Sequence, residues 1–260
     1  MIEKLSKIVK DVGCLLIEWR DSRVFNGTWV GQQFKAEVDQ MAHSALTERL
    51  GRIAPDIPII SEEDKTSLVG KRPKRYWIID PIDGTASFVN GYNGFVTQVA
   101  LIENHRPSMA VIYAPLLGLL YTAERGKGSF LNSENLHITP GREPNILIDN
   151  YPEPRGITYN LYKELKLSKY IECGSISLKI CKVADGTADI FFKNVTVRDW
   201  DLAAPQLVIE EAGGVMRDSK GTEIKYNGDY THDGVIAVAS DDICMRTAFW
   251  YNNFKKRGMG

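Results

Sequence analysis

The stretch WIIDPIDGTASF, Trp77–Phe88, opens like a buried strand and returns to apolar residues at its end. Between these lie Asp80 and Asp83, a proline, and the pair Gly84-Thr85. Pro81 restricts one backbone dihedral directly after the strand. A turn there can aim both carboxylates, and the Ile82 carbonyl between them, at one point. Gly84 permits a close backbone approach, and Thr85 is expected to open a helix. A helix start offers free N–H groups and partial positive charge, a natural seat for phosphate. The Thr85 hydroxyl is placed to hold or activate a water. Taken singly, each acid also suits a helix cap or a solvated loop. As a unit, D-P-I-D-G-T points to a metal and phosphate site.

Working outward, the first ~20 residues carry apolar positions at helical spacing, from Ile2 to Trp19. FKAEVDQMAHSALTERLGRIAP reads as a second amphipathic helix that stops before Pro55. PIIS is a short buried strand leading into SEED. FVTQVALIENHRPSMAVIYAP and GLLYTAERGKGSFLN alternate strands with tight turns, as in an antiparallel meander. ERGKGSF reads as a hairpin turn rather than a phosphate loop. From about Ile146 onward, strands (ILIDN, YIECG, ADIFFK, VMRDSKG, GVIAVAS) mix with helices (TYNLYKELKL, SISLKICKVADG, DLAAPQLVIEEAGG). The class is layered α+β. The expected division is an N-terminal α+β lobe, 1–143, carrying DPIDGT, and a C-terminal lobe, 144–260, carrying a second acidic motif.

The bulk properties exclude several classes. The 260 residues are 43% hydrophobic and 25% charged, with net charge -1. That is ordinary for a soluble protein and supplies no basic field for a nucleic-acid polymer. The basic run KRPKR, Lys71–Arg75, reads as a solvated loop before a strand. PSMAVIYAPLLGLLYTA is broken by Pro115 and Gly118, so no membrane helix is expected. Cys14, Cys173, Cys181 and Cys244 show no C-x-x-C spacing, and four reduced thiols in a cytoplasmic enzyme is the simplest account. The four histidines are scattered, as surface or satisfied core residues.

Further acids stand at Asp39 on the second helix, at Glu62-Glu63-Asp64 after a strand, and at Asp199 and Asp201 before a helix. Hard divalent cations such as Mg²⁺ take oxygen ligands and also bind phosphate oxygens. A site for two metals needs several carboxylates brought together.

SEED (Ser61–Asp64), WIIDPIDGTASF and DWDLAAPQLVIEEAGG (Asp199–Gly214) together resemble the inositol monophosphatase-like, lithium-sensitive, Mg²⁺-dependent phosphatases, over nearly the whole chain. The resemblance implies the α-β-α-β-α sandwich of the inositol monophosphatase/fructose-1,6-bisphosphatase type. It implies two or three Mg²⁺ ions held by Glu62, Asp80, the Ile82 carbonyl, Asp83 and Asp201. It implies a phosphate seat at Gly84 and Thr85, and a Thr85 that orients the attacking water with Asp39 as its partner. Glu63 falls beside a ligand and supports it. The implied reaction is in-line attack by metal-activated water on a small phosphate ester, without a covalent enzyme intermediate. A homodimer is compatible with this reading, and the apolar meander is either its interface or simply core.

Within that family, ASFVNGYNGFVTQVALI matches in length and in its N-G-F turn the 3′(2′),5′-bisphosphate nucleotidases, which usually read G-E-F there. GSISLKICKVADG resembles their G-S-S-L-K-x-C pattern, which makes Gly174, Ser175 and Lys179 substrate-binding candidates beside Asp83 and Asp201. A helix-surface Lys179 is the plainer alternative. Inositol phosphatases carry a glutamate where this chain has Asn194, which argues against inositol phosphate. The resemblance thus implies hydrolysis of the 3′-phosphate of 3′-phosphoadenosine 5′-phosphate. The alternatives are an inositol or sugar monophosphatase, and a non-catalytic metal- or phosphate-binding protein on the same scaffold. One departure stands out. FKAEVD, preceded by NGTWVGQQ, replaces the usual V-T-x-A-D and K-x-D-G-S motifs; Asp39 remains but its threonine neighbour does not.

Overall fold

The computed structural model describes residues 1–21, 31–139, 141 and 143–256, with the backbone alone for 31–36. Of the stretch NGTWVGQQ, residues 26–30 therefore lie outside the described residues, and 31–33 are described by their backbone alone. Two long helices come first, α1 (Ile2–Asp21) and α2 (Gly31–Ile53). In α1 the residues Leu5, Ile8, Val9, Val12 and Leu16 form the buried stripe that the spacing predicts.

A seven-stranded sheet follows in chain order: β1 (Ile59–Ser61), β2 (Arg75–Asp83), β3 (Val96–Glu103), β4 (Arg106–Ala114), β5 (Leu119–Glu124), β6 (Gly128–Leu131) and β7 (Glu134–Asn135). β1 and β2 run parallel, and the remaining pairs are antiparallel. The expected meander is therefore present. ERGKGSF forms the β5–β6 turn, and the Gly126 and Gly128 amides both donate to the Glu211 carboxylate.

The second half adds α3 (Thr85–Val89), β8 (Ile146–Asp149), α4 (Gly156–Glu164), β9 (Lys169–Glu172), α5 (Ile176–Ala184), β10 (Ile190–Lys193), β11 (Val197–Arg198), α6 (Asp199–Glu211), β12 (Val215–Arg217), β13 (Thr231–His232), β14 (Val235–Val238) and α7 (Asp241–Lys256), with α3 lying between β2 and β3. A five-stranded sheet has the order β12-β14-β10-β8-β9, and β11 with β13 makes a separate ribbon.

Strand alternation builds the layers. On β2, Trp77 and Ile79 face the core under α1 and α2, while Tyr76 and Ile78 face a second core shared with α5, α6 and one face of the five-stranded sheet. On β10, Phe191 faces that shared core, while Ile190 and Phe192 face a third one under α4 and α7. The order is α1/α2, sheet, α5/α6, sheet, α4/α7, the α-β-α-β-α sandwich that the motifs imply.

Two local features differ from the sequence reading. β2 does not end at Asp80 but runs to Asp83, with a register shift against β3 between those residues. The irregularity, rather than a free turn, re-aims the side chains. The second feature is α7, DDICMRTAFWYNNFKK, which the reading left out. Its buried face (Ile243, Cys244, Thr247, Ala248, Tyr251) is diluted by polar residues and shows its period only against the sheet. The four cysteines are free, and only Cys14 is exposed.

Candidate active site

Asp80 and Asp83 hang from the end of β2, and Asp201 from the first turn of α6. One oxygen from each of the three carboxylates lies within 4.8 Å of the others. Asp80 and Asp83 are buried, and their hydrogen bonds come from local backbone and from α5. The Asp80 Oδ1 accepts the Ile82 amide at 3.0 Å. The Asp83 Oδ2 accepts the Ser175 hydroxyl at 2.6 Å and the Ser177 amide at 2.7 Å, and its Oδ1 accepts the Ile176 amide at 3.3 Å. Asp83 therefore caps α5 rather than its own helix. The Asp201 Oδ2 accepts the Arg198 amide at 2.8 Å. Capping and convergence are thus met by the same carboxylates.

Buried Gln98 on β3 joins the two supporting helices. Its Nε2 donates to the Ser177 Oγ at 2.6 Å and to the Trp200 carbonyl at 2.8 Å. The Ser177 hydroxyl donates onward to the Asp201 carbonyl at 2.8 Å.

Burial, and then the field of Glu62, Asp83, Asp201 and Asp39, push the Asp80 carboxyl well above the usual range. Burial and Asp83 do the same to Asp201. Glu62, exposed on the SEED loop, and Asp39, buried on α2, thus both bear on this centre. His43, one turn beyond Asp39, binds the Ser61 hydroxyl at 2.8 Å and so ties α2 to the SEED loop. A buried, mutually repelling, all-oxygen cluster of acids matches the donor set that a hard divalent cation takes.

The linkage has a definite sign. A carboxyl whose pKa is raised on folding keeps its proton in the folded chain after losing it in the unfolded one. Metal-free stability from Asp80 and Asp201 therefore declines as pH rises from the ordinary carboxylate range through the raised values. A hard divalent cation bound to the folded, ionised acids would offset that loss. Melting curves of metal-stripped protein, with and without added Mg²⁺, at about pH 5 and about pH 8 should show Mg²⁺ stabilising mainly at the higher pH; equal Mg²⁺ effects at both would contradict this linkage.

Gly84 has φ 86°, as a residue leading into α3 by this path requires. α3 has only five residues, so its field is short and local amides matter more than a dipole. The Thr85 Oγ1 donates to the Ile82 carbonyl at 3.0 Å. Behind them three backbones touch. A Cβ on Gly84 would lie 2.9 Å from the Gly94 carbonyl, one on Gly94 2.8 Å from the Gly174 nitrogen, and one on Gly174 1.8 Å from the Ser87 Oγ. The N-G-F turn is thereby pinned to the start of G-S-I-S-L-K.

A cavity of about 570 Å³ opens beside this junction. Its wall includes Ser87, Asn90, Tyr92 and Gly174, from the two stretches that the sequence singles out for substrate choice, and Asn150 and Tyr151, from the loop after β8. Two other singled-out residues lie elsewhere. Lys179 is not on the helix surface: it is 0% exposed, donates to the Asn150 side chain and, at 3.4 Å, to the Gly174 carbonyl, and faces the Phe191 ring. Burial lowers its pKa to about 8. Asn194 is exposed in the loop after β10 and does not line the cavity.

Within KRPKR, Lys71, Lys74 and Arg75 are exposed as expected, and one residue departs from expectation. Arg72 is buried against Asp199, an acid the sequence reading noted without assigning it a role.

Residues 12–249 match the inositol monophosphatase family. The 3′(2′),5′-bisphosphate nucleotidase CysQ of Aggregatibacter actinomycetemcomitans is 33% identical over 200 residues, 74% of each chain. Nus factor SuhB of Xylella fastidiosa is 33% identical over 198 residues, 73% of this chain and 70% of that one. The solved Thermotoga maritima IMPase superposes with a TM-score of 0.78 at 27% identity, covering 98% of this chain and 97% of that one. With the layer order and the converging acids, these matches establish that the chain belongs to the inositol monophosphatase family, a family of phosphatases acting on small phosphate esters.

Proposed function

We propose that the protein is a Mg²⁺-dependent phosphomonoesterase that removes the 3′-phosphate of 3′-phosphoadenosine 5′-phosphate or a closely related bisphosphorylated nucleotide. The observation that carries the reading is the convergence of Asp80, Asp83 and Asp201; the cavity walled by the N-G-F turn and the G-S-I-S-L-K start contains none of these acids in its wall and begins at Ala86 and Ser87, on the helix that follows Asp83. The similarity to CysQ supports the nucleotide assignment.

Glu62, Asp80, the Ile82 carbonyl, Asp83 and Asp201 hold the metal. When bound, Mg²⁺ lowers the pKa of the attacking water and offsets charge on the phosphoryl oxygens. The Gly84 and Thr85 amides seat the phosphate. Thr85, whose hydroxyl donates to the Ile82 carbonyl, would turn that proton to Asp39 and orient the water in line with the leaving oxygen. Water adds to phosphorus as the ester P–O bond breaks, and the products are inorganic phosphate and the alcohol.

The cavity takes the rest of the substrate. Tyr92 and Tyr151 offer aromatic surface and Asn90 and Asn150 offer amides, a mixture suited to a nucleoside. Lys179, enclosed beneath the cavity, supports the Gly174 backbone instead of meeting phosphate.

A phosphate-release panel tests the reading. Bisphosphorylated nucleotides should be turned over with at least about tenfold higher kcat/KM than inositol or sugar monophosphates, the discrimination that a few pocket contacts supply. Preference for inositol or sugar phosphates assigns the protein to the monophosphatases. No release from any member, with Mg²⁺ present, assigns it to metal or phosphate binding alone.

A further inference from the structure

Arg72 leaves the KRPKR loop and turns inward. Its side chain is 7% exposed and that of Asp199 1%. The Nη1 donates to the Asp199 Oδ2 at 2.6 Å and to the Tyr76 hydroxyl at 3.3 Å. The guanidinium carbon stands 3.8 Å from the Tyr230 ring centroid. The second Asp199 oxygen meets the His232 Nε2 at 2.7 Å. Arg72 Nε and Nη2 are buried without a hydrogen-bond partner.

For stability alone this is a poor arrangement. Two charges are desolvated and two donors left unused, where an apolar pair of similar volume serves as well or better. Its position gives it another use. Asp199 is the first residue of α6 and Asp201 the third. Arg72 lies on the connection from β1 to β2, which also carries Glu62, and His232 lies on β13. The cluster therefore joins three segments at the helix end from which Asp201 projects.

We infer that Arg72, through Asp199 and His232, is a positioning residue that fixes the first turn of α6 so that the Asp201 carboxylate meets those of Asp80 and Asp83. The planar guanidinium both hydrogen-bonds and stacks, and lysine reproduces neither geometry. The inference rests on the reading of Asp201 as a metal ligand.

Calorimetric titration of the metal-free full chain with Mn²⁺, alongside melting temperature, tests it. Arg72→Met alone should lower the melting temperature, because the buried Asp199 loses its arginine partner and keeps His232. The double variant Arg72→Met/Asp199→Leu should recover most of that loss. If the cluster positions Asp201, Mn²⁺ affinity stays weakened by about tenfold or more in the recovered double variant. A double variant that binds within about twofold of native overturns the inference.

Arg72→Lys keeps the charge and covers the case in which the double variant does not fold. It should weaken Mn²⁺ about three- to tenfold, and native affinity there also overturns the inference. Native protein that takes no Mn²⁺ overturns the metal-centre reading and the inference with it. Binding lost in Asp201→Asn but kept in the double variant and in Arg72→Lys overturns the inference alone.

Discussion

Asp83→Asn is expected to slow phosphate release by about a thousandfold or more while the chain stays folded. The side chain has two duties that the amide separates. As a cap it accepts three α5 donors, Ser175, Ile176 and Ser177. Asparagine keeps one acceptor oxygen and nearly the same shape, so the folding cost is about 1 kcal/mol, a shift of a few degrees in melting temperature. As a member of the acid cluster it supplies negative charge and a hard oxygen, and the amide abolishes the first and weakens the second. Phosphate release at saturating Mg²⁺, with circular dichroism as the check on folding, measures both. Activity within about tenfold of native would leave Asp83 as a helix cap and nothing more.

Gly174→Ala should damage fold and activity together. The added methyl would lie 1.8 Å from the Ser87 Oγ and 2.8 Å from the Gly94 carbonyl. Turning the hydroxyl aside would leave the Gly94 backbone carbonyl and the Ser87 Cβ, at 2.9 Å, still too close, so overpacking of about 1–3 kcal/mol follows. The displacement passes to Ser175, which holds Asp83 at 2.6 Å. A shift approaching 1 Å at a reacting centre lowers kcat by about a hundredfold. Gly91→Ala is the control: it has φ 78° with open space around its Cβ, so backbone strain of about 1–2 kcal/mol is expected with little change in kcat. Ser87→Gly added to Gly174→Ala removes the shortest contact and should restore part of both losses. No restoration means that the clash is not the cause.

What the sequence displays of this molecule follows from range. WIIDPIDGT is legible because strand, proline, acids and glycine lie within one short segment, and local rules act there. The unbroken apolar run of Tyr76, Trp77, Ile78 and Ile79 likewise marks a buried strand. Arg72 is illegible because its partner Asp199 lies 127 positions away and a basic run reads as solvated. Lys179 is hidden for a related reason. Nothing near it in the chain announces that Asn150 and the Gly174 carbonyl will enclose its ammonium. The contact of Gly94 with Gly174 also exists only after folding, although each glycine stands in a stretch marked for substrate choice. α7 fails on period, since its polar and aromatic residues blur the stripe that the second sheet selects.

Strand β2 contributes alternate side chains to two separate cores, and the acids stand at its end. Loosening either helical layer alone leaves the other face of the strand gripped. The mount of Asp80 and Asp83 is therefore expected to keep its place when either helical layer alone loosens. Heat inactivation should then coincide with the loss of sheet structure on melting rather than precede it.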